Sequence, residues 1–184
     1  MPITAIDPNP ALIVIDLQKG VVGFPTAHPI GDIINQTRRL ADAFRERGLP
    51  VVLVNVTGLK QRRTDSGSPS FSPPPDWTEF VPELGQQSSD FVVSKQTWGA
   101  FIGTSLDEYL RERGVTQIVL TGVATSIGVE STARSAFDHG YTVTLVVDAM
   151  TDLELAAHLN SVEKIFPRLG ETGDTDDVLQ LLSL

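Results

Sequence analysis

Two ionisable residues and one glycine-containing turn concentrate the chemistry of this 184-residue chain. Asp16 follows the apolar run Leu12-Ile13-Val14-Ile15, and Lys95 closes the run that begins Phe91-Val92-Val93. The third feature, Gly122-Val123-Ala124-Thr125-Ser126-Ile127-Gly128 and on to Arg134, follows Ile118-Val119-Leu120 and opens an amphipathic segment. It reads as a strand-to-helix turn. In an open parallel sheet, ligands bind at the carboxyl ends of the strands. An acid, a base and a backbone-rich turn at three such ends describe a catalytic pocket.

Each feature also has a plainer reading. A carboxylate after an apolar strand is costly unless it is paired or lines a cavity, but Asp16 could also cap a helix or fix the Gln18-Lys19-Gly20 turn. Lys95 by itself reads as a loop lysine. If the helix starts near Ser126, its first N–H groups lack intrahelical partners and face the pocket, ready for an oxyanion or a carboxylate. Gly128 would then lie in the first helical turn, where glycine costs up to about 1 kcal/mol relative to alanine. Close strand–helix packing accounts for it, and so does a substrate that needs the space.

The elements that must position these residues follow a repeated pattern. An amphipathic segment, a glycine and a β-branched run recur at Phe44 to Val54, at Leu110 to Leu120 and at Phe137 to Val147. Glycine just past a helix end takes the left-handed conformation cheaply. Helical faces are expected at Ile33, Ile34, Leu40, Ala41 and Phe44, at Leu106, Tyr109 and Leu110, and at Leu155, Leu159, Val162 and Phe166. The strands are nearly continuous apolar runs, the pattern of parallel strands covered on both faces. Together these predict an α/β fold: a three-layer α/β/α sandwich around five or six parallel strands. The stretch from Thr57 to Ser89 breaks the rhythm with five prolines. Its anchors Trp77, Phe80, Val81 and Leu84 suggest a packed loop leaning over the pocket.

Composition narrows the function. The length fits one domain spanning residues 1–184. The net charge of −9 and the lack of a basic stripe argue against nucleic acid as a partner. The chain has no cysteine, so disulfides and thiolate nucleophiles are excluded. The N-terminus does not read as a secretory signal. No apolar run approaches the roughly 20 residues of a membrane helix, so a cytoplasmic protein with no membrane partner is expected. His28, His139 and His158 read as surface or helix-capping residues, and neither a metal site nor a cofactor is expected.

Asp16, Lys95 and the Gly122–Arg134 turn resemble the three signature positions of the isochorismatase-like hydrolase superfamily. The resemblance covers almost the whole chain, including Ser94 to Phe101 and His158 to Thr172. It implies a Rossmann-like fold with a six-stranded sheet, a cis Val123–Ala124 peptide and a homo-oligomer, dimer or tetramer. Most members are amidases with a cysteine where this chain has Gly128, and there the aspartate activates the thiol. True isochorismatases are similar to this chain in having glycine at that position, and they hydrolyse a vinyl ether without a covalent intermediate.

By that resemblance Asp16, Lys95 and Gly128 form the catalytic set. Asp16 protonates the enol-ether methylene carbon, and Lys95 holds a carboxylate-bearing small substrate or tunes Asp16. An adjacent ammonium lowers a carboxyl pKa while a general acid needs it raised, so burial has to outweigh Lys95. A Thr125 or Ser126 nucleophile is disfavoured because the segment holds no histidine base. Gln18, Phe24, Trp98, Ala124, Thr125, Ile127 and Arg62 are the candidate substrate-binding residues; Phe24 and Trp98 would act as an apolar wall and Arg62 as a carboxylate clamp. Two other readings stand beside this one: a C–N (amide or ureide) hydrolase using activated water, and a non-catalytic binding or assembly protein on the same fold.

Overall fold

A computed structural model describes residues 3–58, 63–65 and 73–183. Six strands, β1 (Pro10–Ile15), β2 (Val51–Val56), β3 (Phe91–Lys95), β4 (Gln117–Val123), β5 (Thr142–Thr151) and β6 (Glu171–Gly173), form one sheet in the order β3-β2-β1-β4-β5-β6. Every neighbouring pair is parallel. The helices are α1 (Lys19–Val22), α2 (Ile30–Glu46), α3 (Leu106–Glu112), α4 (Glu130–Asp138), α5 (Leu155–Asn160) and α6 (Thr175–Leu182).

All six residues of β1 are buried, because both faces of this central strand are covered. On one face Ile13, Ile15, Val52 and Val54 pack with Leu106, Tyr109 and Leu110 of α3 and Ala133 of α4. On the other, Leu12, Val14 and Leu53 pack with Ile33, Leu40 and Phe44 of α2 and Val178 of α6. Two cores on opposite sides of one sheet make the expected three-layer α/β/α sandwich. The glycines that end the repeated helices, Gly48, Gly114 and Gly140, all have positive φ, as the αβ pattern requires. Among the described residues no helix is long and apolar enough to cross a membrane.

Two expectations change. The face predicted from Leu155, Leu159, Val162 and Phe166 does not form: Leu155 and Leu159 are exposed while His158 and Phe166 are buried. The cause is a wide π-type turn at Ser161–Ile165, which ends α5 after six residues and breaks the 3.6-residue period. The described part of the long loop does pack, but onto the segment that follows Asp16. Gln18 pairs with Phe80, the Lys19 N–H donates to Glu79 O at 2.8 Å, and Val81 and Leu84 are buried.

Candidate active site

The sheet order reverses direction between β1 and β4, the kind of switch point at which open α/β sheets bind ligands beyond their strand ends. Asp16 directly follows β1 with φ of 52°, a left-handed conformation that aspartate tolerates better than most residues. Its N–H donates to Val54 O at 2.9 Å, so the backbone stays tied to β2. Lys95 ends β3, two strands away, and its long side chain crosses the end of β2. Lys95 Nζ donates to Asp16 Oδ2 at 2.7 Å and to Thr97 O at 3.2 Å. Both residues are buried, Asp16 with 6% and Lys95 with 2% of their surface exposed. Asp16 Oδ1 is buried and has no hydrogen-bond partner among the described residues.

Burial pushes the Asp16 carboxyl up to about 6, against the opposing pull of the Lys95 ammonium. Desolvation therefore wins the contest set up by the sequence.

Gly122 and Gly128 shape the third wall for different reasons. A Cβ on Gly122, whose φ is 117°, would lie 2.0 Å from Ile15 O, so only glycine lets β4 approach β1 here. A Cβ on Gly128 would lie 3.4 Å from Asp16 Oδ2, placing this position beside the acid. It would also lie 2.9 Å from Ile15 Cγ2, so that methyl partly occupies the space a side chain would take. The Val123–Ala124 peptide is cis, as the resemblance implied. Thr132 Oγ1 donates to Gly128 O at 2.7 Å and accepts from the Ala100 N–H at 3.1 Å, bracing the turn against the segment after β3.

Three N–H groups at the start of the turn, expected to face the pocket, are engaged within the protein. Ser126 N–H donates to Asp152 Oδ2 at 2.6 Å, and the Ile127 and Val129 N–H groups donate to Ala124 O at 3.1 and 3.2 Å. The protein's own carboxylate takes the helix-start position that a bound anion would otherwise hold. Asp152, buried just after β5, carries a weaker sequence signal than Asp16, because β5 itself contains Asp148 and three threonines.

The candidate binding residues divide. Gln18 is fully buried: Nε2 donates to Val56 O and Trp77 O, and Oε1 accepts from the Val56 N–H at 2.7 Å. Its polar atoms clamp the loop, so it supports the site and does not present itself to a ligand. Thr125 is fully buried and its Oγ1 is hydrogen-bonded to His158 Nδ1 at 2.9 Å. Its hydroxyl therefore points into the protein, and the histidine that the local sequence lacked comes from α5. Phe24 and Trp98 are 47% and 56% exposed, available as walls, and Phe24 meets Trp77 edge-on at 6.3 Å. Ala124 and Ile127 are half-buried on the turn. Arg62 lies outside the described residues, and the adjacent Arg63 is exposed.

His139 is exposed and its Nδ1 lies 2.7 Å from Ser135 O at the end of α4, in line with the capping role. His158 departs from the surface reading because it is buried against Thr125. Among the described residues no group of three or more histidine, aspartate or glutamate side chains could hold a metal ion.

The profile of the Isochorismatase domain matches residues 10–177. The chain belongs to the isochorismatase family. A family protein from Burkholderia thailandensis has a solved structure that superimposes with a TM-score of 0.95 at 42% identity, covering 99% of this chain and 100% of that one. The uncharacterized family protein YwoC of Bacillus subtilis is 42% identical, covering 92% of both chains. An isochorismatase of Bacillus subtilis is 30% identical over 96% of this chain and 59% of its own length. A ureidoacrylate amidohydrolase of Variovorax paradoxus is 29% identical over 92% of this chain and 80% of its own. Membership makes the chain a hydrolase of the isochorismatase type, with Asp16 and Lys95 converging on the switch point.

Proposed function

We propose that this hydrolase cleaves a vinyl ether in a small carboxylate-bearing substrate such as isochorismate, with Asp16 as general acid and no covalent enzyme intermediate. One observation carries the reading: a buried carboxyl pushed up to about 6 keeps Oδ1 unpartnered, while Oδ2, held by Lys95, lies beside Gly128, a residue without a side chain. A neutral carboxyl with a free oxygen can deliver a proton. The 30% identity to an isochorismatase supports the same chemistry.

In this reading Asp16 transfers its proton to the methylene carbon, and the ether oxygen shares the positive charge that develops on the adjacent carbon. Water adds to that carbon, returning one proton to Asp16. The hemiketal then collapses, breaking the C–O bond to give pyruvate and an alcohol. An ammonium has three N–H donors, and two of those on Lys95 are engaged by Asp16 and Thr97. The third is directed to the substrate carboxylate. Ile127 and Ala124 on the turn, with Phe24 and Trp98, wall the substrate. Hydrolysis of isochorismate in deuterium oxide should place one deuterium in the methyl group of pyruvate. Turnover without deuterium in that methyl group contradicts protonation at carbon.

The amidohydrolase relative favours a second reading, in which ionised Asp16 activates water against an amide or ureide. The two predict opposite pH limbs: an acid works below a midpoint near 6 and a base above it. Ligands that raise the melting temperature without ever being converted would instead mark a binding protein. In Gly128→Cys a thiol would enter beside Asp16 and should introduce amide hydrolysis once Ile15 yields.

A further inference from the structure

Behind the catalytic turn lies a polar cluster that the proposed chemistry does not use. Thr125, Thr151, Asp152 and His158 are buried there, with His28 half-buried beside them. His158 Nδ1 and Thr125 Oγ1 are 2.9 Å apart, and His28 Nδ1 and Thr151 Oγ1 are 3.0 Å apart. The two imidazoles meet edge to face with centroids 4.7 Å apart. The cluster joins the β4 turn, the end of β5, α5 and the loop after α1, where the Ala27 N–H donates to Asp152 O at 2.8 Å. Asp152 in turn accepts from Ser126 N–H, so two consecutive residues of the turn are held from this side.

We infer that His158 is a positioning residue, which through the Thr125 hydroxyl holds the Ala124–Gly128 turn against Asp16. The geometry is specific. Thr125 has no exposure, so water cannot replace His158 as its partner, and the position three residues further on is Gly128. Thr132 and Ala100 brace that same turn from the opposite side. Burial, helped by the neighbouring His28 imidazole and opposed by Asp152, lowers the His158 pKa and so favours the neutral ring. A neutral ring sits beside another imidazole without charge repulsion. A packed histidine that merely fills space would need no hydroxyl at this one turn residue.

The test follows the Asp16 carboxyl by carbon-13 NMR through a pH titration of the whole protein, which needs no substrate. Thr125→Val removes the hydroxyl at nearly constant shape, and His158→Leu removes the ring nitrogens. In both, water gains access to the carboxyl and its midpoint should fall by about one pH unit. His158→Asn places an amide group near the lost Nδ1 and should restore the parental midpoint. With isochorismate, kcat should fall roughly tenfold or more in the first two variants while KM changes little. That kinetic arm rests on the vinyl-ether reading, whereas the titration does not, so the two can fail separately. A folded Thr125→Val protein whose Asp16 midpoint equals the parent's overturns the inference. So does a His158→Leu protein that loses melting temperature alone.

Discussion

Among the described residues two acid–base pairs have buried side chains, and they are built differently. Arg45 of α2 grips Asp90 with two parallel bonds, Nε to Oδ1 at 3.0 Å and an Nη to Oδ2 at 2.7 Å. Asp90 Oδ2 also accepts from the Gln87 N–H, while Arg45 reaches Asp42 and Leu84 O. No oxygen of Asp90 lacks a donor. Asp16 meets Lys95 through one oxygen and leaves the other buried without a partner. In the first pair both carboxylate oxygens are already met. The unsaturated pair retains an unmet hydrogen bond, costly in an apolar setting, that a substrate can complete.

The largest effect that separates the two pairs is kinetic. Asp16→Asn keeps shape and removes the transferable proton, so turnover of the vinyl ether should fall about 10²- to 10⁴-fold with an unchanged circular dichroism spectrum. Arg45→Met should do the reverse. Removing one partner of a buried pair costs roughly 3–5 kcal/mol, read in urea unfolding, while turnover per folded molecule stays at the parental value.

A third difference lies in pH. With its folded pKa raised from 3.8 to about 6, Asp16 binds more protons in the native state than in the unfolded chain between those values. Stability from this group is therefore fully present below about pH 4 and is lost as pH rises through 6, by about 3 kcal/mol in all. The wild-type minus Asp16→Asn difference in urea stability, measured from pH 4 to 7, should show that fall.

The smallest effect concerns the neighbouring position. Gly128→Ala puts a methyl group 2.9 Å from Ile15 Cγ2 and should cost about 1–3 kcal/mol of stability. Turnover should drop with it, because the added methyl also narrows the space beside Asp16.

The sequence made the sheet legible because β1, β2 and β4 are buried on both faces, and apolar runs bounded by glycine-ended helices admit few alternatives. Asp16, Lys95 and the turn were legible as chemistry because each interrupts or ends such a run. The roles of Gln18 and Thr125 were not, since a polar side chain beside a pocket can face the ligand or the protein, and only the fold decides. Both face the protein, where Gln18 clamps the loop and Thr125 meets His158. The α5 face was misread because a helical period assumes an uninterrupted helix, and the wide turn at Ser161–Ile165 carries no proline or glycine to announce it.

The pH dependence of kcat/KM for pyruvate release from isochorismate tests the assignment of Asp16 most directly, because it reports the free enzyme's own acid. The account predicts a constant value at low pH and a tenfold fall per pH unit above a midpoint near 6, with that limb absent in Asp16→Asn. A rate that climbs through the same midpoint would show that the ionised carboxylate is the working form and would contradict the general-acid mechanism.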